Sequence, residues 1–346
     1  MPIKILATAD LHLGRTSSGV PEDAYECSTK YTWNRLVEWG VKHEIDVLLL
    51  AGDVVDEDNR FFEAVGPLQS GFDRLKKAGV EVFMIAGNHD HDVLAQIVGS
   101  NQYDHVHMLG AGGDWEIHTH TVNNLEIQFI GWSFPRKYVT EEPVRALHHL
   151  EPDSSQFTIG LLHGEVDVPD SKYAPLGLDH LKELPVDAWV LGHIHKPLEF
   201  QEKDPFIAYT GPPHALNSGE SRIHGPLLFE VEGDQDVRIK RIPLSPLRYE
   251  SLKIDVGRAE DEEGFRNVVS SRLLEHAQGN IQELEGVAYL VYDVELTGQS
   301  DQANQIGFWK HQVMDYSTEL ETGTRISVRK IHNHVQPRLQ NLEELV

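Results

Sequence analysis

Along the first third of the chain, continuous apolar runs alternate with stretches whose apolar positions recur every three or four residues. The runs at 3–8, 47–51 and 80–86, and two later ones at 157–162 and 188–191, are predominantly apolar, the pattern of strands buried on both faces. The stretches at 25–43 and 60–78 have helical spacing. Up to about residue 105 the pattern therefore predicts a βαβ series with parallel pairing. From residue 106 onward strand-like runs come closer together, at 115–118, 125–131, 206–210, 226–232 and 237–243. Their spacing predicts a second, more antiparallel sheet stacked on the first. The expected fold class is α/β, with two stacked mixed β-sheets flanked by helices.

The double proline break Pro243-Leu-Ser-Pro246 ends this pattern. Beyond it the chain restarts with a strand at 249–256, a helix at 260–277, a strand at 286–296, a helix at 303–320 and a strand at 325–331. That order predicts a separate small α+β module, so the expected domains are 1–245 and 249–346. The acidic run Glu260-Asp-Glu-Glu263 reads as the negatively charged first turn of its helix, favoured by the macrodipole.

With 346 residues and 40% hydrophobic content, the chain can bury a large core. Its single cysteine, Cys27, rules out an internal disulfide framework. The sequence passes from Met1 directly into a strand, without a basic and then apolar leader, and no run approaches the roughly 20 apolar residues of a membrane span. A cytoplasmic protein with no membrane partner is expected. The net charge of −25 weighs against a nucleic-acid partner, because phosphate binding favours a basic face. Bound divalent cations would offset that charge where a phosphodiester meets the protein.

Five short polar blocks follow the five apolar runs: Asp10-Leu-His12, Gly52-Asp53, Gly87-Asn88-His89-Asp90, His163-Gly164 and Gly192-His193-Ile-His195. Strand C-terminal ends are where open α/β sheets place their active sites. Asp10, His12, Asp53, Asn88, His163, His193 and His195 offer carboxylate and amide oxygens and imidazole nitrogens, a mixed set that suits manganese, iron or zinc better than magnesium. Two ions bridged by a carboxylate would clamp both the attacking and the leaving oxygen of a phosphoryl centre. Asp53 is the expected bridge. His89, near the pair without being a ligand, is the residue expected to protonate the leaving oxygen or stabilise its charge. Taken singly, Asp-x-His and Gly-Asp are ordinary caps and turns; Gly-Asn-His-Asp is far more specific, and the ordered set carries the argument. Arg15, Arg60, Arg136 and Lys137 lie near the blocks and are candidates to touch a substrate phosphate. The remaining histidines, among them His105, His107, His118 and His120, are assigned no role.

In this order the blocks resemble the calcineurin-like metallophosphoesterase superfamily. One branch fits in more detail. The segments Ile5-Leu-Ala-Thr-Ala-Asp-Leu-His-Leu-Gly14, Leu50-Ala-Gly-Asp-Val-Val-Asp56, Ile85-Ala-Gly-Asn-His-Asp90, Leu191-Gly-His-Ile-His-Lys-Pro197 and Tyr209-Thr-Gly-Pro212 are similar to the SbcD / Mre-eleven DNA repair nucleases, including YhaO-type relatives. The resemblance covers roughly residues 1–245. It implies the metallophosphoesterase sandwich, with residues from 249 onward as a capping or DNA-specificity domain. It implies one metal held by Asp10, His12, Asp53 and His195 and another by Asp53, Asn88, His163 and His193. It further implies catalysis assisted by His89, with Asp90 orienting that ring. The implied activity is manganese-dependent 3′-to-5′ exonuclease action on duplex ends, with endonuclease action on single strands or hairpins, in DNA double-strand break repair. An SbcC-type SMC-like ATPase and a second copy of the chain are the implied partners. The chain reaches Val346 soon after its last strand, so the ATPase contact is expected to differ or to lie outside this sequence. Val55 and Asp56 stand where archaeal and eukaryotic members often carry phenylalanine and histidine, closer to the bacterial pattern.

Two other function classes share parts of this pattern. A phosphodiesterase acting on a nucleotide or other small phosphodiester would carry the same five blocks. A scaffold that has lost the chemistry would lack a ligand, and none of the seven is missing.

Overall fold

The computed structural model of the chain describes residues 2–21, 24–58, 64–99, 103–149, 151–203, 205–221, 223–232 and 236–338. It divides into two compact units, Met1–Ser17 with Tyr25–Leu216 and His224–Leu244, and Ser18–Ala24 with Asn217–Ile223 and Ser245–Val346.

The first unit holds two six-stranded sheets. In one, β1 (Ile3–Thr8), β2 (Val47–Ala51), β3 (Glu81–Ile85) and β4 (Val106–Met108) pair in parallel, and β13 (Leu227–Glu232) and β14 (Asp236–Arg241) extend the β1 side antiparallel. In the other, β6 (Leu125–Trp132), β7 (Phe157–His163), β10 (Ala188–Gly192) and β12 (Phe206–Tyr209) are mutually parallel. Only its edges, β5 (Trp115–Val122) and β11 (Leu198–Gln201), run antiparallel. This corrects two expectations. The second sheet has a parallel centre, and the strand runs expected at 226–232 and 237–243 belong to the first sheet. The crossovers of the second sheet carry only short helical pieces, a 3-10 turn at Pro143–His149 and α4 (Leu178–Glu183), with a small ladder of β8 (Glu165–Val166) and β9 (Pro175–Leu176). Such pieces are too short to show a 3.6-residue period.

Apolar side chains from both sheets meet in one layer, including Ile5, Leu49, Phe83, Phe129, Ile159 and Val190, with the Phe83 and Phe129 rings stacked at 4.3 Å. The outer face of the first sheet is covered by α1 (Thr29–Lys42), α2 (Val65–Lys77) and α3 (Leu94–Val98), and that of the second by the 3-10 turn and α4. Ser28 starts α1 by accepting a hydrogen bond from the Tyr31 amide. The apolar stripe of α1, Trp33, Leu36 and Val37, faces inward in a cluster with Leu68, Phe72 and Leu75 of α2. Gly71 is required there, since a Cβ would lie 2.4 Å from the Trp33 ring. The stripe is thus used within the unit. Arg60, a candidate phosphate contact, lies outside the described residues.

The second unit contains a four-stranded sheet. β15 (Leu247–Asp255), β16 (Tyr289–Thr297) and β19 (Arg325–Asn333) are parallel, and β18 (Ser317–Glu319) is antiparallel on the β19 edge. A two-residue ladder joins β17 (Gln299–Ser300) to β20 (Gln336–Pro337). Its helices α5 (Glu262–Gly279) and α6 (Ala303–Met314) bury Phe265, Val269, Leu273, Ile306 and Val313 in one cluster with Leu290, Tyr292 and Val294. Asp261 caps α5 by accepting from the Gly264 amide at 2.7 Å. The helix expected at 303–320 ends at Met314, and part of its remainder is β18. No helix among the described residues is long and apolar enough to cross a membrane.

Candidate metal centre

The ends of five parallel strands carry the polar blocks: β1, β2 and β3 from the first sheet, β7 and β10 from the second. The loops after β1 and β2 are laced together, the Asp10, His12 and Leu13 amides donating to the carbonyls of Gly52, Asp53 and Val54. Asp10, His12, Asp53 and His193 all have positive φ, 54°, 43°, 50° and 95°. That backbone is costly for residues with a Cβ and is found where a functional arrangement over-determines it. Two glycines give the room. A Cβ on Gly52, at φ +86°, would lie 2.5 Å from His163 Nδ1, and one on Gly87 would lie 2.1 Å from Asp53 Oδ1.

All seven expected ligand residues come together. Asp10, His12 and His195 offer ligand atoms within 4.8 Å of one another, and so do Asp53, His163 and His193. His12 Nε2 and His195 Nε2 face each other at 3.0 Å. Asn88 Oδ1 lies 3.1 Å from His163 Nε2 and 3.0 Å from His193 Nδ1. Asp53 Oδ2 stands between the groups, 3.3 Å from His163 Nε2 and 3.8 Å from His12 Nε2. The supporting contacts choose which ring nitrogen faces the cluster. His163 Nδ1 donates to the Ala51 carbonyl at 3.0 Å, and His193 Nε2 lies 3.5 Å from Glu165.

The donor set fits divalent metal. Asp10 is fully buried and its Oδ2 has no hydrogen-bond partner, while Oδ1 accepts from the His193 amide at 2.9 Å. A buried carboxylate oxygen without a partner is costly unless a cation completes it. Burial raises the Asp10 carboxyl above the usual range despite nearby imidazoles. Burial also opposes ionisation of Asp53, yet the His163 and His12 rings overcome it and hold this carboxyl below its ordinary value. Against its own burial, His163 is raised to about 9 by Asp53. His193 is pushed down to about 3 by burial and by His163.

His89 sits beside the ligands with its side chain 31% exposed. Its amide donates to Asp53 Oδ1 at 2.9 Å and its ring packs edge-on to His12 at 4.8 Å. Burial lowers its pKa, partly offset by Asp53. Asp90 is placed differently from the expectation that it orients the His89 ring. Its Oδ2 accepts from the Val54 and Val55 amides at 2.7 and 3.2 Å, and its Oδ1 from Gly87 at 2.8 Å. It ties the loop carrying Asp53 to the loop carrying Asn88 and His89. Burial and the Asp53 charge raise it to about 7.

Two carboxylates stand near the His89 ring: Asp53, whose Oδ2 lies 4.0 Å from His89 Nε2, and Asp56, to which the sequence pattern assigns no role. Its Oδ1 lies 3.9 Å from His89 Nδ1, 3.3 Å from His12 Nδ1 and 3.8 Å from Arg15 Nε. Its only signal is its place three residues after Asp53. Two of the basic candidates are engaged elsewhere: Arg136 pairs with Glu141 at 3.1 Å and Lys137 with Glu57 at 2.6 Å.

Comparison with known proteins places this geometry in a family. The model of the calcineurin-like phosphoesterase family matches residues 3–197. The Bacillus subtilis protein named uncharacterized metallophosphoesterase YhaO is 28% identical over 268 residues, covering 75% of this chain and 64% of that protein. The D component of the nuclease SbcCD from Staphylococcus saprophyticus is 25% identical over 285 residues, covering 75% of this chain and 73% of that protein. The DNA double-strand break repair protein Mre11 of Methanocaldococcus jannaschii is 27% identical over 215 residues, covering 59% of this chain and 54% of that protein. The chain thus spans just under two thirds of the YhaO relative and about half of the Mre11 relative.

Proposed function

The chain belongs to the calcineurin-like phosphoesterase family, and from this premise we propose that it is a two-metal phosphodiesterase that cuts DNA. Asp10, His12, Asp53 and His195 would hold one ion, and Asp53, Asn88, His163 and His193 the other, with manganese the ion that best suits this mixture of oxygen and nitrogen donors. One observation carries the reading: Asp53 Oδ2 lies between His163 Nε2 and His12 Nε2, beside a buried Asp10 oxygen that lacks a partner. When bound, such a pair of ions supplies Lewis-acid polarisation of the phosphoryl group.

The side chains around that pair have separate tasks. His89 holds a proton at a ring nitrogen and passes it to the leaving oxygen. The His12 ring edge packs against the His89 imidazole, and the Asp56 carboxylate stands 3.9 Å from its Nδ1. Asp90 keeps the loops that carry Asp53 and Asn88 in register. Ala51 and Glu165 orient His163 and His193. A DNA substrate, action in double-strand break repair and an SbcC-type ATPase partner are proposals supported by the relatives named as a nuclease component and as a repair protein; 3′-to-5′ polarity and a homodimer are proposals that follow from the sequence resemblance alone. The second unit would serve as a capping domain that selects the substrate.

A second reading, hydrolysis of a nucleotide or other small phosphodiester, is favoured by the net charge of −25 and by the pairing of Arg136 and Lys137 with glutamates. Incubating the protein and manganese with an end-labelled duplex, beside a chromogenic small phosphodiester, separates the two. Shortening of the duplex supports the nuclease. Cleavage of the small ester alone replaces it with the second reading.

A further inference from the structure

Three aromatic rings lead away from the candidate metal centre. Tyr173 lies 4.8 Å from the His193 ring at an interplanar angle of 34°, and Tyr138 lies 5.7 Å from Tyr173 at 51°. These separations fall within the usual range for interacting aromatic pairs. Tyr138, the outermost residue, is 49% exposed, although Val139 beside it is buried. Its backbone is nevertheless held. Val139 bridges to Tyr173, with the Val139 amide donating to the Lys172 carbonyl and the Ala174 amide to the Val139 carbonyl, both at 2.8 Å. Arg136 Nε donates to the Tyr138 carbonyl at 3.0 Å. Lys137 places its ammonium 5.9 Å from the Tyr138 ring centre.

An exposed tyrosine on a fixed backbone, one ring beyond a metal-ligand candidate, has one element of a single-strand nucleic-acid site, a surface for base stacking. Because the backbone is already ordered, little entropy is lost when a ring stacks upon it. We propose that Tyr138 and Tyr173 form a stacking platform for an unpaired nucleobase next to the scissile phosphodiester. This rests on the nuclease reading and narrows it. The substrate at the centre is a strand whose terminal or flanking base has left the duplex stack, and a phosphodiester without a base gains nothing from the platform.

The test uses the full chain with manganese and two substrates of equal length, a twelve-residue thymidine oligonucleotide and a twelve-residue oligomer of abasic tetrahydrofuran units. In the wild type, KM for the thymidine strand should be lower by about 5- to 150-fold, the factor that corresponds to stacking one base on an aromatic side chain. Tyr138→Leu should raise KM for the thymidine strand toward the abasic value, with kcat and the abasic KM unchanged. Tyr138→Phe, which keeps the ring, should retain the preference. The platform is overturned if Tyr138→Leu keeps the wild-type preference, if it weakens both substrates equally, or if the wild type cuts both oligomers with the same KM. Failure of the wild type to cut either oligomer overturns the platform, and the nuclease reading falls with it only if the end-labelled duplex is also left intact while a small phosphodiester is hydrolysed.

Discussion

Removing the Asp90 carboxylate should loosen the candidate metal centre without deleting any donor. In Asp90→Ala three amides, Val54, Val55 and Gly87, lose their acceptor in a fully buried position. A hydrogen bond to a charged group contributes about 1.5–3 kcal/mol. Three that share one carboxylate overlap, so the expected loss is about 3–5 kcal/mol. For a unit of this size that corresponds to roughly 6–20 °C in melting temperature, at about 2–4 °C per kcal/mol. Asp90→Asn should fall between the two. Its amide oxygen can still accept from Val54 and Val55, but its NH2 group then meets the Gly87 amide, a loss of about 1–3 kcal/mol. Because Asp90 is raised to about 7, its ionisation costs the folded protein stability as pH rises toward 7, so melting should be followed at pH 6 as well as pH 8, with the larger deficit of Asp90→Ala at pH 6. A chelator in the buffer separates the effect from metal binding, and a manganese titration of each variant should then show weakened binding in the same rank order. If Asp90→Ala melts within about 2 °C of the wild type in chelator, the clamp is refuted. If it melts like the wild type and still loses all cleavage, Asp90 acts at the reacting atoms instead.

Other expectations concern residues away from the ligands. His118 and His120 are held below the usual imidazole value by burial, with His107 adding to the effect at both and His120 adding to it at His118, against the opposing pull of Glu81, Glu116 and Asp46. As pH falls below 6.5 the unfolded chain takes up protons at these sites before the folded one, so stability present above that pH is lost on acidification. Melting temperature between pH 7.5 and 5.5 should therefore fall more steeply for the wild type than for a His118→Gln/His120→Gln variant, and equal slopes contradict the reasoning. Tyr209 is buried, and its hydroxyl donates to the Gly164 carbonyl at 2.7 Å and accepts from the Val166 amide at 2.9 Å, pinning the turn between His163 and Glu165. Tyr209→Phe should cost about 1–3 kcal/mol in urea unfolding, and an unchanged midpoint would show that the turn does not need the hydroxyl.

The strands and the gathering of their polar ends are legible in the sequence because both depend on local pattern. Continuous apolar runs mark strands buried on two faces, and the residues that follow them must lie at the strand ends. What escapes depends on partners distant along the chain. The parallel centre of the second sheet is hidden because its crossovers contain only seven- and six-residue helical pieces. The part played by Asp90 is hidden because two of its partners are amides 35 and 36 residues away, and amides leave no mark on a sequence. Asp56 is visible as a carboxylate but not as a neighbour of His12 and His89, whose blocks arrive from other strands. Arg136 and Lys137 read as free cations until the fold sets Glu141 and Glu57 against them.

The central claim, a two-metal centre bridged by Asp53 with His89 acting beside it, is tested most directly by measuring manganese stoichiometry and duplex cleavage together in the wild type, Asp53→Ala and His89→Ala. Two ions per chain with cleavage in the wild type, loss of metal in Asp53→Ala, and two ions with cleavage lowered by about 100-fold or more in His89→Ala are the predicted results. Equal loss of metal in both variants would contradict the role assigned to His89. Full metal content in Asp53→Ala would contradict the bridge.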